Sequence, residues 1–209
     1  MACTLTQDQI DGTISFHGHW CPGLASGIRA AEWVLMELGA RSRDEELVAV
    51  VETDMCGVDA IQFLTGCTFG KGNLIHKDYG KNAFTFYRRS DGKAARLVAR
   101  PGMYGDAQKT LSQLHRKMLT ESLTVEEEAV LKQTRAMITK RIMESRLEDL
   151  FEIKKADGPA PKKARILSSL VCKKCGESFM ESRARKLHNQ TLCIPCFENM
   201  KKSGELITG

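Results

Sequence analysis

Between Gly23 and Leu38 apolar residues recur every three or four positions, at Leu24, Ile28, Ala31, Leu35 and Leu38. That spacing predicts a helix. Trp33, Val34 and Met36 widen its apolar surface, so burial is expected on most sides, and Gly39 suits its C-terminal cap. Residues 4–15 predict a short N-terminal helix or turn. Leu47–Val51 (LVAVV) is a continuous aliphatic run, the pattern of a buried strand. A polar cluster, Glu52 to Gly57, follows it, and Val58–Leu64 predicts a short helix. Ala83–Arg88 alternates as a strand, Asp91-Gly92 supplies a hairpin turn, and Ala94–Arg100 returns as the partner.

Asp106–Leu119 carries helical spacing at Ala107, Leu111, Leu114 and Met118. Thr124-Val125-Glu126-Glu127 is a capping box, and Leu131, Ile138, Ile142 and Leu150 continue a stripe as far as Phe151. The expected fold is α+β, a mainly antiparallel or mixed sheet flanked by helices. The last helix is long enough to act as a long helical arm or dimer face, or to pack on its own sheet. The pattern then breaks. Lys154–Arg165 (KKADGPAPKKAR) mixes Pro, Gly and Ala with five basic residues and cannot build a core. Three segments are expected: a metal-binding core over 1–153, a basic flexible linker over 154–165, and a small zinc-ribbon domain over 166–209.

Composition narrows the class. An apolar fraction of 42% over 209 residues supports a core. No apolar run approaches the ~20 residues that span a bilayer. The N-terminus lacks a basic segment followed by an apolar one, so a cytoplasmic protein with no membrane association is expected. Eight cysteines without an export signal point to metal binding before disulfides. The net charge of +5 is uneven: residues 1–153 hold 19 Lys+Arg against 21 Asp+Glu, and residues 154–209 hold 12 against 5. A basic tail of this kind suits an acidic partner, nucleic acid above all, or is simply a solvated linker and tail.

The chemistry concentrates in Phe16–Arg29 (FHGHWCPGLASGIR). His17, His19 and Cys21 alternate there, and in an extended segment alternate side chains face one way. Imidazole and thiolate are ligands that zinc favours. Cys21 sits just before the predicted helix, where the helix dipole favours a thiolate. Cys56 closes the polar cluster after the first strand. Cys67 lies in a glycine-rich stretch, Gly66–Asn73, that departs from a P-loop in spacing and in having Gly72 after Lys71. Nucleoside triphosphatase chemistry is therefore not expected, though Gly70, Lys71 and Gly72 could cradle an anion.

Cys172-x-x-Cys175 and Cys193-x-x-Cys196 have the spacing of a closed, structural four-cysteine zinc site. So short a segment needs metal to fold. Lys173, Lys174, Arg183, Arg185, Lys186 and His188 surround these pairs and could face phosphates. One aromatic, Phe179, lies between the pairs, which gives little support for base stacking, and a protein partner fits as well.

The run Phe16–Arg29 resembles the signature of the FmdE family of formylmethanofuran dehydrogenase proteins. Three later blocks resemble that family in the same order: Glu52–Gln62 (ETDMCGVDAIQ), Gly66–Leu74 (GCTFGKGNL) and Gly80–Phe86 (GKNAFTF). The resemblance covers roughly residues 10–150. It implies an α+β core, a homodimer, and a metal pocket built from the histidines and cysteines of these blocks. His19, Cys21 and Cys56 are the expected ligands, with His17 and Cys67 nearby. His17, Asp54, Asp59, Lys71 and Asp78 are candidates for proton transfer or substrate contact. The expected cofactors are a structural zinc and a second metal ion, zinc again, in the core.

The resemblance links the chain to one-carbon metabolism. Two other roles are expected alternatives: a regulatory or adaptor module whose basic ribbon binds nucleic acid or a protein, and an accessory component of a molybdenum or tungsten enzyme.

Overall fold

Thr6 starts the first helix of the computed structural model: its hydroxyl accepts from the Gln9 N–H, and the Gln9 side chain accepts from the Thr6 N–H. This helix, α1, spans Gln7–His17 and stops at Gly18, where a φ of 92° suits a residue without Cβ. The structure describes residues 2–39, 46–163, 165–187 and 189–202. His188 lies outside them. The chain divides into two units, Met1–Lys163 and Ala164–Gly209.

In the first unit α2 (Pro22–Glu37) leads to β1 (Leu47–Val51), α3 (Gly57–Thr65), β2 (Leu74–His76), β3 (Ala83–Arg88) and β4 (Ala94–Ala99). Then come α4 (Ala107–Lys117), α5 (Val125–Glu144), α6 (Leu147–Leu150) and β5 (Phe151–Lys154). The five strands form one mixed sheet in the order β2-β1-β3-β4-β5. Only β1 and β2 run parallel; the other neighbours are antiparallel, with Ala49 opposite Phe86 and Phe86 opposite Ala95.

Every residue of β1 is buried, as its unbroken aliphatic run requires. Leu47, Ala49 and Val51 join Phe84, Phe86 and Leu97 under Ala30 and Val34 of α2 and Ile138 and Ile142 of α5. Val48 and Val50 face the opposite side with Tyr87, and Ala156 and Ala160 pack on them there. The segment expected as a flexible linker therefore begins as part of the first unit. Lys154 completes β5, Tyr87 Oη donates to the Asp157 carbonyl at 3.2 Å, and Arg89 Nη2 donates to the Pro161 carbonyl at 2.9 Å. Ala156 and Ala160 cover a sheet face, and Pro161 offers its carbonyl to Arg89.

The helix expected to continue to Phe151 ends at Glu144. Ser145 is extended, and the buried Arg29 donates to the carbonyls of Met143 and Ser145 at 2.6 and 2.8 Å, satisfying acceptors that the helix end leaves open. In place of an arm, α5 lies along α2 and α4 with Leu131, Thr134, Ile138, Thr139 and Ile142 buried. Glu52, just past β1, is held by Arg96 of β4 through two contacts of 2.7 Å, which keep its carboxyl below the usual range.

The second unit holds β6 (Ser169–Val171) paired with β7 (Ser178–Met180), and β8 (Arg185–Leu187) paired with β9 (Gln190–Leu192). Helix α7 (Ile194–Lys202) follows. Its core is small: Cys172, Leu192 and Cys193, with Phe179, Leu187 and Phe197 packed around them. No helix among the described residues is long and apolar enough to cross a membrane.

Candidate metal centre

Two glycines bring the core cysteines together. A Cβ on Gly27 of α2 would stand 2.2 Å from the carbonyl oxygen of Gly57 in α3, so the helices touch backbone to backbone there. A Cβ on Gly23 would come within 3.2 Å of the Cys56 Cβ. The two helices thus converge near their N-termini. Cys21 is the N-cap of α2, its Sγ accepting from the Leu24 N–H at 3.4 Å, and Cys56 is the N-cap of α3. Both sulfurs sit where helix ends carry partial positive charge.

His17 arrives from the end of α1, and His19 from the connection to α2. One ligand atom from each of His17, His19, Cys21 and Cys56 lies within 4.8 Å of the others. Alternation along an extended segment is not what gathers them. His17 is helical, Gly18 is left-handed and Cys21 is extended. The side chains meet because the chain turns at Gly18, and the imidazole rings of His17 and His19 lie 4.4 Å apart. Asp59 Oδ2 lies 2.7 Å from His17 Nδ1, leaving Nε2 on the cysteine side, 3.9 Å from Cys21 Sγ. Burial, and then the charge of Cys21, push the Cys56 thiol above its ordinary value; burial followed by both cysteines does the same for Tyr104. Two neighbouring cysteine sulfurs beside an imidazole oriented by a carboxylate are a donor set that suits a divalent cation such as zinc.

A cavity of about 490 Å³ opens beside the cysteines. Cys21, Cys56 and His19 line it, with Met55, Phe84 and Leu111 as apolar wall and Tyr104, Gln108, Ser112, His115 and Arg135 as polar groups. Those from α4 and α5 belong to the site although their sequence pattern marks them only as helical. The nearest signal is the spacing 108, 111, 112, 115, which marks one helix face.

In the second unit the sulfurs of Cys172, Cys175, Cys193 and Cys196 also lie within 4.8 Å of one another. The first pair sits in a tight turn: the Gly176 N–H donates to the Cys172 carbonyl, and Gly176 has a φ of 76°. Backbone N–H groups of Cys175 and Cys193 pull the Cys172 thiol down to about 6, while Cys193 and burial push Cys196 up to about 12. Four thiolates so close need a cation among them.

Residues 16–152 match the family described as FmdE, molybdenum formylmethanofuran dehydrogenase operon. The chain belongs to the FmdE family. Beyond the FmdE region, residues 165–199 match the prokaryotic dksA/traR C4-type zinc finger, so the second cysteine group is that of a zinc finger. A crystal structure of a tungsten formylmethanofuran dehydrogenase FmdE-like protein from Syntrophus aciditrophicus shares the fold. It has a TM-score of 0.60 at 22% identity, over 95% of this chain and 97% of that one. A protein from Archaeoglobus fulgidus described as a probable S-adenosyl-L-methionine-binding protein is 32% identical over 187 residues, 87% of this chain. This chain spans about half the length of that curated relative, 50%.

Within the FmdE region the other expected site residues disperse. Cys67 does not join the cluster: it is fully buried, donates to the Leu47 carbonyl at 3.3 Å, and is pushed up to about 11 by burial. Asp54 and Asp78 are exposed, and neither they nor Lys71 line the cavity. The glycine-rich loop closes on itself. The Gly72 N–H donates to the Phe69 carbonyl and the Thr68 N–H to Asn73 Oδ1, which removes donors from the anion cradle expected there.

Proposed function

We propose that this FmdE-family protein holds a zinc ion in its core through His17, Cys21 and Cys56, with His19 completing the set, and handles a small molecule in the adjoining cavity. The observation that carries the reading is the convergence of four soft donors from three chain segments at the wall of that cavity. Asp59 adds His17 to the ligands expected first, because a carboxylate on Nδ1 orients the ring and raises the basicity of Nε2. A zinc ion there would act as a Lewis acid on a bound group or on water. The protein's own part is to orient the ligands through α1, α2 and α3 and to line the cavity with Tyr104, Gln108 and Ser112. The zinc-finger cysteines supply a closed, structural site.

Elemental analysis of unreconstituted protein tests this. The expected content is two zinc per chain, falling to one in Cys21→Ser and in Cys56→Ser. Two zinc ions retained in both variants would remove the core site. A tie to formylmethanofuran dehydrogenase and one-carbon chemistry, as an accessory component of a molybdenum or tungsten enzyme, rests on the family name; co-purification with such an enzyme supports it, and a stable free homodimer counts against it.

The second unit carries a second reading as a regulatory or adaptor module. Lys173, Lys174, Arg183, Arg185 and Lys186 are all exposed around the zinc-finger cysteines, an arrangement that suits phosphate contacts. Retention of the full chain on nucleic acid then falls steeply with salt, whereas a flat dependence favours a protein partner.

A further inference from the structure

The cavity beside the cysteines has a chemical bias. No aspartate or glutamate lines it among the described residues, and its one permanently charged side chain is Arg135. Arg135 pairs with no carboxylate among the described residues; its Nη2 instead lies 3.1 Å from His115 Nε2. Partial burial and the Arg135 charge push His115 below its ordinary value, which favours the neutral imidazole that can accept that bond. The guanidinium is thus held at one corner and keeps its other donors.

The polar side of the cavity is helix-borne. Gln108, Ser112 and His115 share one face of α4 with Leu111, and α5 packs on α4 and carries Arg135. Helix-borne groups of this kind are held more rigidly than loop residues. Phe84, Met55 and Leu111 give the cavity apolar surface. The nearest carboxylate of the site, Asp59, is taken up by His17 at 2.7 Å and does not line the cavity, so it leaves the Arg135 fork open to another anion. A planar guanidinium fork matches a carboxylate in two parallel hydrogen bonds.

We infer that the cavity takes a small organic monocarboxylate, its carboxylate paired with Arg135 and its carbon skeleton against Leu111 and Phe84. The placement of the ligand's far end toward the cysteines rests on the metal reading above; the Arg135 contact does not.

Calorimetric titration of the full-length zinc-loaded protein tests this, with acetate, butyrate, benzoate and succinate as probes. Butyramide is the uncharged control, and inorganic phosphate and S-adenosyl-L-methionine are the competitors. At least one monocarboxylate binds and butyramide does not. Arg135→Gln weakens that binding about tenfold or more, the loss expected for a charge-assisted pair. Arg135→Lys falls between, and Lys140→Gln, exposed on the same helix, leaves it unchanged. The inference is overturned if no monocarboxylate binds, if succinate alone binds, if Arg135→Gln binds as tightly as the parent, or if phosphate or S-adenosyl-L-methionine outcompetes every monocarboxylate. Thermal melts show whether Arg135→Gln is folded, and Arg135→Lys carries the test if it is not. Zinc content separates the two proposals. Two zinc ions with no carboxylate bound sinks this one alone. One zinc ion with Arg135-dependent carboxylate binding upholds it and removes the core metal.

Discussion

Asp59 stands one bond behind the core site. Its Oδ2 meets His17 Nδ1 at 2.7 Å, and it lies in the first turn of α3, the helix that begins with Cys56 as its cap. One helix end therefore supplies both a thiol and the carboxylate that fixes an imidazole from another helix. Partners of this kind typically change metal affinity 10–100-fold when lost. Asp59→Asn keeps an acceptor for the His17 N–H but removes the charge. The expected result is core zinc bound about 10-fold more weakly, with the zinc-finger ion unchanged, read by competition with a chromophoric chelator. Equal affinities would mean that Asp59 only packs. At this scale the donors are readable from sequence, because His and Cys are few and chemically distinct. Cys67 misleads for the same reason: a buried thiol bonded to a strand carbonyl looks no different in sequence from a ligand. His115 and Arg135 are invisible as site residues. Nothing local tells which face of α4 and α5 meets a cavity formed with α2 and β3.

The contact between α2 and α3 converts two separate caps into one site. Gly27 and Gly57 permit it, since a side chain at Gly27 would overlap the backbone of α3. Gly27→Ala must push the helices apart, and overpacking of this kind costs about 1–3 kcal/mol. For a chain of this size that lowers the thermal midpoint by roughly 2–12 °C, and it should release core zinc while the zinc-finger ion stays. Gly70→Ala is the comparison, because a Cβ there meets nothing within 4 Å. If Gly27→Ala melts like Gly70→Ala and keeps both metals, the helix contact does not set the site. The strongly patterned elements are legible from sequence: α2, β1, the β3–β4 hairpin and the capped start of α5. Strands β2 and β5 are not, because three or four residues give periodicity nothing to act on. The break after Glu144 is hidden because Leu147, Leu150 and Phe151 continue the apolar stripe, and the group that accepts the helix end, Arg29, is 114 residues away from Met143.

Over the whole molecule the two units are held by different forces. The first buries two faces of a five-stranded sheet, one under α2 and α5 and the other under the segment around Ala156. Hydrophobic burial on that scale does not depend on metal. The second unit buries Leu192 and two cysteines at its centre, far too little to offset the entropy of ordering its chain. A structural zinc supplies ~10–16 kcal/mol at neutral pH. Removing all zinc with excess chelator should therefore unfold the second unit and leave the first folded. In amide-resolved NMR spectra, signals from residues 165–202 collapse to the random-coil region while those from the sheet keep their dispersion. Zinc added back restores the first pattern. Loss of dispersion throughout would mean that the core ion also holds the sheet together. Persistence of both sets would show that the apolar residues around Leu192 suffice without metal. The boundary this experiment would display is only partly visible in sequence. The composition of Lys154–Arg165 announces a junction, but two alanines and a proline carbonyl within it are enough to bind its first half to the sheet.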